Sequence, residues 1–165
     1  MDDILYSIRE HTIGLNCGIW DYSASIIAKF GNRSAFLIPD RNKYVNITKR
    51  FLSAYMHLVV ATCHRRGALA TGGMAAQILP PGKALDDKSK QVIDLVRTGK
   101  SREIEIGVDG FMVYDLRLVG PMNELWREMI GTAENQIKKM PYVEDIRAET
   151  LLEIPKGGVN FEGLK

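Results

Sequence analysis

The pattern of apolar and polar positions divides the chain into alternating helices and short strands. Apolar residues at helical spacing predict helices over residues 3–11, 23–30, 48–66, 86–106 and 118–130. Short runs of small or apolar residues between them predict strands over residues 15–21, 69–76 and 111–115. This alternation is typical of a parallel α/β sheet or barrel, in which functional residues lie at the carboxyl ends of strands. We therefore expect Asp21, Met74 and Asp115 at that edge.

The composition excludes several classes of protein. The chain has 165 residues, 45% of them hydrophobic and 25% charged, and a formal net charge of +2. This balance argues against a nucleic-acid partner, because proteins that bind nucleic acids usually carry a cluster of basic residues on one surface. The longest apolar run, residues 51–63, is shorter than the roughly 20 residues that cross a membrane. The two cysteines, Cys17 and Cys63, form no disulfide framework or zinc motif, which favours an intracellular location.

The polarity of the chain changes near residue 131, and two groups of basic residues need a separate interpretation. After Gly131 the chain becomes polar, so we predict a boundary there, with 1–131 as one unit and 132–165 as a linker and the start of a second domain. The basic residues between 88 and 102 are interpreted as a solvated helix face, and those at 64–66 as an anion site or as a complement to the helix dipole.

The stretch from Arg9 to Tyr22 carries the most informative candidate chemistry. It places glycines in and just after a predicted strand that ends in Trp20-Asp21. A carboxylate beside such a backbone can hold a hard cation such as Mg²⁺, while neighbouring N–H groups receive an anion. The same aspartate would also serve as a helix N-cap. The residues alone leave both interpretations open.

The motif Arg9-Glu10-His11-x-x-Gly14-Leu15-Asn16-x-Gly18-x-Trp20-Asp21-Tyr22 resembles the signature of malate synthases. Shorter stretches match the same family in the same order, at residues 39–41, 63–68, 72–78 and 109–110. The resemblance covers roughly residues 3–130. It implies an α/β fold of the (β/α)₈ TIM barrel type and an enzyme that condenses acetyl-CoA with glyoxylate and hydrolyses the thioester, giving malate and CoA.

A whole barrel of this type needs about 250 residues. The chain therefore represents a partial TIM barrel of about three strand-helix units, followed by the start of a C-terminal helical domain. We expect it to require the remaining parts of the barrel and to be inactive alone. The alternative function is a catalytically dead, truncated relative that acts as a binding or scaffold protein. The sequence does not separate a peroxisomal, mitochondrial or cytoplasmic location.

The resemblance also implies site residues. Asp21 would be a magnesium ligand, and Gly18, Ile19, Trp20 and Asp21 would line glyoxylate, largely through backbone N–H groups. The family's magnesium glutamate and enolate-stabilising arginine are expected before Met1, and its catalytic aspartate after Lys165, so no catalytic residue is assigned.

The third predicted strand departs from the family. Residues 109–116 lack the tryptophan and the His-Pro pair that family members usually carry there. The resemblance would place Met74, Met112 and Tyr114 near the acetyl-CoA channel, with ordinary core packing as the alternative.

Overall fold

The computed structural model describes residues 1–82, 86–158 and 161, and shows a parallel sheet with helices packed against it. In chain order the helices and strands are α1 (Asp2–Ser7), β1 (Gly14–Asn16), α2 (Ile19–Phe30), α3 (Arg41–Tyr44), α4 (Arg50–Arg65), β2 (Leu69–Ala75), α5 (Asp87–Ile106), β3 (Gly110–Val113), α6 (Val119–Ile130) and α7 (Ala148–Leu151). Single 3₁₀ turns occupy Ser34–Phe36 and Leu116–Leu118. No helix in these described ranges is long and apolar enough to cross a membrane.

The three strands pair in the order β1-β2-β3, and both pairings are parallel. Leu15 pairs with Ala70, and Met74 pairs with Met112. Within the described residues β1 and β3 each have a strand on one side only. Successive parallel strands joined through helices are the repeating unit of a TIM barrel. The prediction of a partial barrel with three strand-helix units is therefore confirmed.

One face of the sheet is covered by helices and the other is open. Ala70 and Ala75 of β2 are buried, and Phe111 and Val113 of β3 pack against the same hydrophobic core, which includes residues of α4, α5 and α6. Side chains alternate between the two faces of a strand. The opposite surface, here called the open face, is formed by Asn16, Thr71, Met74, Met112 and Tyr114, which are partly or fully exposed.

Three elements follow their sequence predictions closely. α4, β2 and α5 lie within two residues of the predicted ranges. Gly67 takes a φ of +70° just after α4, the left-handed conformation that glycine adopts at helix ends. The Asp86 side chain accepts a hydrogen bond of 2.8 Å from the Ser89 N–H and so caps α5.

The predicted strand over residues 15–21 is wrong in its second half. β1 ends at Asn16, and α2 already begins at Ile19. Ile19, Tyr22 and Ile26 recur at helical spacing and pack into a cluster with Phe51 and Leu52 of α4. Burial of that helical stripe decides the local structure. Asp21 therefore lies in the first turn of a helix and not at a strand end.

The solvated-face interpretation of residues 88–102 is wrong for Lys100. Its side chain is 5% exposed, and its ammonium group donates to the Gly73 carbonyl and to Glu103. Lys90, on the same helix, is 63% exposed and fits the interpretation. Position on the helix explains the difference, because only the end of α5 near Lys100 reaches β2 with its polar side chains.

The polar segment after Gly131 returns to the helices and the sheet. The Gln136 side chain donates to the carbonyls of Ile104 and Val108, and α7 packs against α4. The Tyr22 hydroxyl donates a hydrogen bond of 2.7 Å to the Leu151 carbonyl. The division into 1–131 and 132–165 stays a prediction, and its residues 159, 160 and 162–165 lie outside the described part.

Candidate functional site

The candidate site lies where β1 passes into α2. Gly18 is the N-cap residue of this helix, and Ile19, Trp20 and Asp21 form its first turn. The N–H groups of a first helical turn have no partner within the helix and point toward any ligand at its end. The four residues predicted to line glyoxylate are therefore contiguous around one helix N-terminus at the carboxyl edge of the sheet.

Asp21 is exposed, and its carboxylate takes part in no hydrogen bond or ion pair with the residues that the structure describes. The N-cap interpretation is wrong, because Gly18 holds that position. A carboxylate in the first turn still gains from the positive end of the helix dipole. The exposed Asp21 carboxylate is thus accessible to a cation at the N-terminus of α2.

Gly18 makes room for this carboxylate. A Cβ atom at Gly18 would overlap Asp21 Oδ2, whereas the backbone of Gly18, with φ −81° and ψ 90°, is open to any residue. Glycine is therefore required here by space and not by conformation. The sequence argument for a close approach at Gly18 holds, but the atom that approaches in this structure is the Asp21 oxygen.

Aromatic side chains support the turn from the helix side. Tyr22 stacks on Tyr55 of α4 with ring centroids 4.5 Å apart. Desolvation by burial raises the pKa of Tyr55 to about 12, and the charges of Cys17, Asp21 and Tyr22 add to the shift. Burial also raises the pKa of Tyr22. Both hydroxyls therefore stay neutral near pH 7, and the tyrosines fix α2 without adding charge beside Asp21.

The open face brings the predicted acetyl-CoA residues together. Met74 and Met112 are register partners on neighbouring strands, and Tyr114 lies two residues beyond Met112. Their exposed fractions are 39%, 49% and 64%, so none of them belongs to the core of the described chain. They form an apolar surface at the same edge as Asp21, and their contact with acetyl-CoA stays a prediction.

A clamp at this edge joins the segments that follow β2 and β3. The Arg117 guanidinium donates to the Asp115 carboxylate and to the carbonyls of Leu79 and Pro80. Asp115 accepts in turn from the Leu79 N–H at 2.9 Å. The Arg117 hydrogen bonds hold the pKa of Asp115 well below its usual range. Asp115 lies beyond β3, which ends at Val113, so the prediction of a strand to 115 is too long.

At the N-terminus of α2, Asp21 would give a magnesium ion one carboxylate ligand. No group of three His, Cys, Asp or Glu side chains that could hold a metal exists among the described residues. Asp21 fits the ion as a hard oxygen donor without a competing cation. Ligands from elsewhere would have to complete the coordination.

Several residues at this edge escaped sequence reasoning. Asn16 donates to Thr71 Oγ1 and to the Gly72 carbonyl and so ties β1 to β2. Lys100 and Glu103 form a buried ion pair beneath β2. The i, i+3 spacing of that pair was visible in the sequence, but Lys90 and Asp87 have the same spacing at the surface.

The basic residues at the other end of α4 have structural roles. His64 Nε2 lies 2.9 Å from Asp109 Oδ2, and both side chains are almost fully buried. Arg66 forms a bidentate hydrogen bond with Asp2. These partners occupy His64 and Arg66, two of the three basic residues that an anion site would have used.

The sheet, the covering helices and the polar edge define a class: this is a segment of a TIM barrel domain with a candidate site at the carboxyl ends of its strands. A family model described as the TIM barrel domain of malate synthase matches residues 1–154. The chain belongs to the malate synthase family.

Curated relatives agree with this assignment. A glyoxysomal malate synthase of Gossypium hirsutum is 38% identical over 167 residues, and one of Cucumis sativus is 40% identical over 168 residues. A malate synthase of Arabidopsis thaliana is 40% identical over 167 residues. Each match covers 100% of this chain and 29% of the relative. The chain thus spans less than a third of the length of these relatives.

Proposed function

We propose that this chain supplies one part of a malate synthase active site, in a protein that condenses acetyl-CoA with glyoxylate. In that reaction the acetyl methyl group loses a proton and forms a C–C bond to the aldehyde carbon of glyoxylate. Water then cleaves the thioester, which leaves malate and free CoA. The observation that carries the proposal is the exposed Asp21 carboxylate, seated over Gly18 at the N-terminus of α2.

In this proposal Asp21 holds Mg²⁺ with ligands from other parts of the protein. The bound ion would polarise the aldehyde oxygen of glyoxylate. The N–H groups of Ile19 and Trp20 would orient the glyoxylate carboxylate, since a first helical turn favours an anion. The partner molecules are therefore glyoxylate and acetyl-CoA, and the cofactor is Mg²⁺.

Met74, Met112 and Tyr114 would bind acetyl-CoA through apolar contact. Methionine is flexible and polarisable, so the side chains of Met74 and Met112 can adapt to the surface of a ligand. The Asp115–Arg117 clamp would keep the segment after β2 in place beside that surface. These residues would bind acetyl-CoA and exclude water from it. The proton transfers would be carried out by groups elsewhere in the barrel.

The test uses the protein expressed from its complete natural reading frame. Asp21→Asn keeps the side-chain shape and removes the charge, so Mg²⁺-dependent glyoxylate binding, measured by calorimetry, should weaken by about 10–100-fold or more. Glyoxylate-dependent release of CoA should fall with it. Asp87→Asn is the matched control, because Asp87 also lies in the first turn of a helix, with its side chain 92% exposed.

Two outcomes would reject the proposal. One is a folded wild-type protein that releases no CoA with glyoxylate and Mg²⁺, which would favour a binding or scaffold role. The other is unchanged binding in Asp21→Asn, which would reduce Asp21 to a helix-dipole residue. The 165-residue chain alone should show no glyoxylate-dependent CoA release.

For the compartment, we propose the glyoxysome or another peroxisome, since relatives from Gossypium hirsutum and Glycine max are named glyoxysomal malate synthases. A fluorescent fusion of the complete reading frame, imaged with a peroxisomal marker, tests this location. Cytosolic or mitochondrial fluorescence would contradict it.

A further inference from the structure

Strand β2 contains one residue more than β3 between two paired positions. Thr71 pairs with Gly110 and Met74 pairs with Met112, so three steps on β2 match two on β3. This is a β-bulge, and Gly72 and Gly73 form it. In a regular strand, residues three apart point to opposite faces. The bulge instead puts Met74 on the same open face as Thr71.

The bulge carbonyls accept hydrogen bonds from side chains on both sides of the sheet. Asn16 Nδ2 donates to the Gly72 carbonyl at 2.8 Å from the open face. Lys100 Nζ donates to the Gly73 carbonyl at 2.6 Å from the helix layer. Each partner is a single side chain, and Lys100 is 4% exposed. No water is needed to satisfy the Gly73 carbonyl.

Glu103 holds the Lys100 ammonium group in place and occupies the space beside Gly72. Both Glu103 oxygens lie 3.0 Å from Lys100 Nζ, and a Cβ atom at Gly72 would overlap Glu103 Oε2. The Lys100 ammonium group also lies 5.3 Å from the centre of the Phe111 ring. Desolvation by burial raises the pKa of Glu103, and Lys100 opposes that shift. A buried ion pair of this kind is weak evidence for stability, because desolvation offsets its attraction.

We propose that Lys100, held by Glu103, is a positioning residue that sets the Gly72–Gly73 bulge and thereby turns Met74 onto the open face, where the proposed function places acetyl-CoA. The proposal rests on the proposed function for its ligand, but not for its geometry. It predicts that loss of the lysine moves Met74 and weakens the binding of acetyl-CoA, while magnesium and glyoxylate still bind at Asp21.

The principal variant is the double substitution Lys100→Met with Glu103→Leu, because replacing both members of a buried pair by apolar residues keeps the fold stable. The matched control is Lys90→Met with Asp87→Leu, an i, i+3 pair on the same helix that lies at the surface. In the protein from the complete reading frame, the KM for acetyl-CoA should rise by about tenfold or more in the principal variant, since small misplacements of a binding group have large effects. The control should match the wild type.

A structural readout is independent of activity. With ¹³C-methyl-labelled methionine, the Met74 and Met112 methyl resonances, assigned through Met→Leu variants, should shift in the principal variant and stay in place in the control. If the wild type releases no CoA, the proposed function fails and this spectrum alone decides the Lys100 proposal.

Two single results would overturn the proposal, and one combination of results would do the same. One is an unshifted Met74 methyl resonance in the principal variant. The other is a fall in kcat that matches the lost folded fraction, with an unchanged KM for acetyl-CoA, which is what a purely structural pair would give. A KM increase together with equally weakened Mg²⁺-dependent glyoxylate binding would also contradict it.

Discussion

The two ends of the same three-stranded sheet differ in how they treat their aspartates. At the amino end, Asp109 precedes β3 and is buried, and it accepts hydrogen bonds from His64 Nε2 and from the N–H groups of Ala70 and Gln136. At the carboxyl end, Asp21 is exposed and has no such partner among the residues described. The fold buries one aspartate and gives it hydrogen-bond partners, and it leaves the other exposed.

This difference follows the general division of labour in barrels. Residues at the amino ends of strands serve stability, and those at the carboxyl ends serve chemistry. His64 contributes to the amino end by joining α4 to Asp109 and to the Lys139 carbonyl, so the segment after Gly131 is fixed there too. Full use of polar groups makes an edge stable and chemically inert. The family match points to Asp109 and Asp21 alike, and only burial separates their roles.

The largest expected effect is on stability at the amino end. Asp109→Ala removes the acceptor of three buried donors and leaves His64 without its carboxylate, so the free energy of unfolding should fall by about 3–5 kcal/mol. Asp21→Ala should lower it by less than about 1 kcal/mol, since only a helix-dipole interaction is lost. Urea denaturation followed by circular dichroism measures both. Equal losses would mean that the two edges do not differ.

The next largest effect concerns the reactivity of Cys17, the buried residue next to the exposed candidate site. Cys17 directly precedes Gly18 but is 0% exposed, and burial raises the pKa of its thiol from 9.0 to about 12. From the thiolate fraction alone, its alkylation at mildly alkaline pH should be about a thousandfold slower than in the unfolded chain. Iodoacetamide labelling followed by peptide mass mapping measures this rate.

The same shift has a consequence for stability. The unfolded thiol ionises near pH 9.0 and the folded one near 12, so stability should fall as the pH rises through that window. Cys17→Ala should reduce that slope, while the part that comes from the buried Tyr55, Tyr22 and Cys63 should remain. Rapid labelling of Cys17 in native buffer would show that the opening reaches one residue deeper into β1 than the structure places it.

The smallest expected effect concerns the clamp at the carboxyl end. Hydrogen bonds from Arg117 keep the pKa of Asp115 below its unfolded value of 3.8. Its contribution to stability is therefore present above that pH and is lost as the pH falls through the lower folded value. Asp115→Asn should lower the denaturation midpoint at neutral pH, and its difference from the wild type should shrink below pH 3.8.

Asp145→Asn, at an exposed site without the clamp, serves as its control. A difference from the wild type that stays constant with pH would mean that the clamp does not depend on the charge of Asp115.

Local signals were enough to predict most of the framework. The periodicity of residues 48–66 and 86–106, with Gly67 and Asp86 at their ends, predicts α4 and α5 to within two residues, because caps and apolar stripes are written in consecutive positions. The parallel sheet also follows from the alternation of elements. The motif placed Gly18 and Asp21 after the first strand, where the structure has them, but it did not show that Asp21 lies in a helix.

Two features could not be read from the chain because they depend on contacts between distant positions. α2 begins at Ile19 because its apolar side chains pack against Phe51 and Leu52. These two residues belong to α4 and are separated from α2 by α3 and its connecting loops. Lys100 and Lys90 have acidic partners at the same spacing, and only the position of β2 beneath one end of α5 makes one pair buried and the other exposed.

The sequence by itself determined the family, the parallel α/β architecture and the residues around the candidate site, because these depend on local periodicity and on a contiguous motif. Only the tertiary structure decided which charged groups are consumed and which stay available. Asp109 and Asp21 have the same side chain, and Lys100 and Lys90 share a helix; packing removed one of each from water and gave it hydrogen-bond partners. Desolvation depends on neighbours that are far away in the chain, which is why no local pattern predicts it.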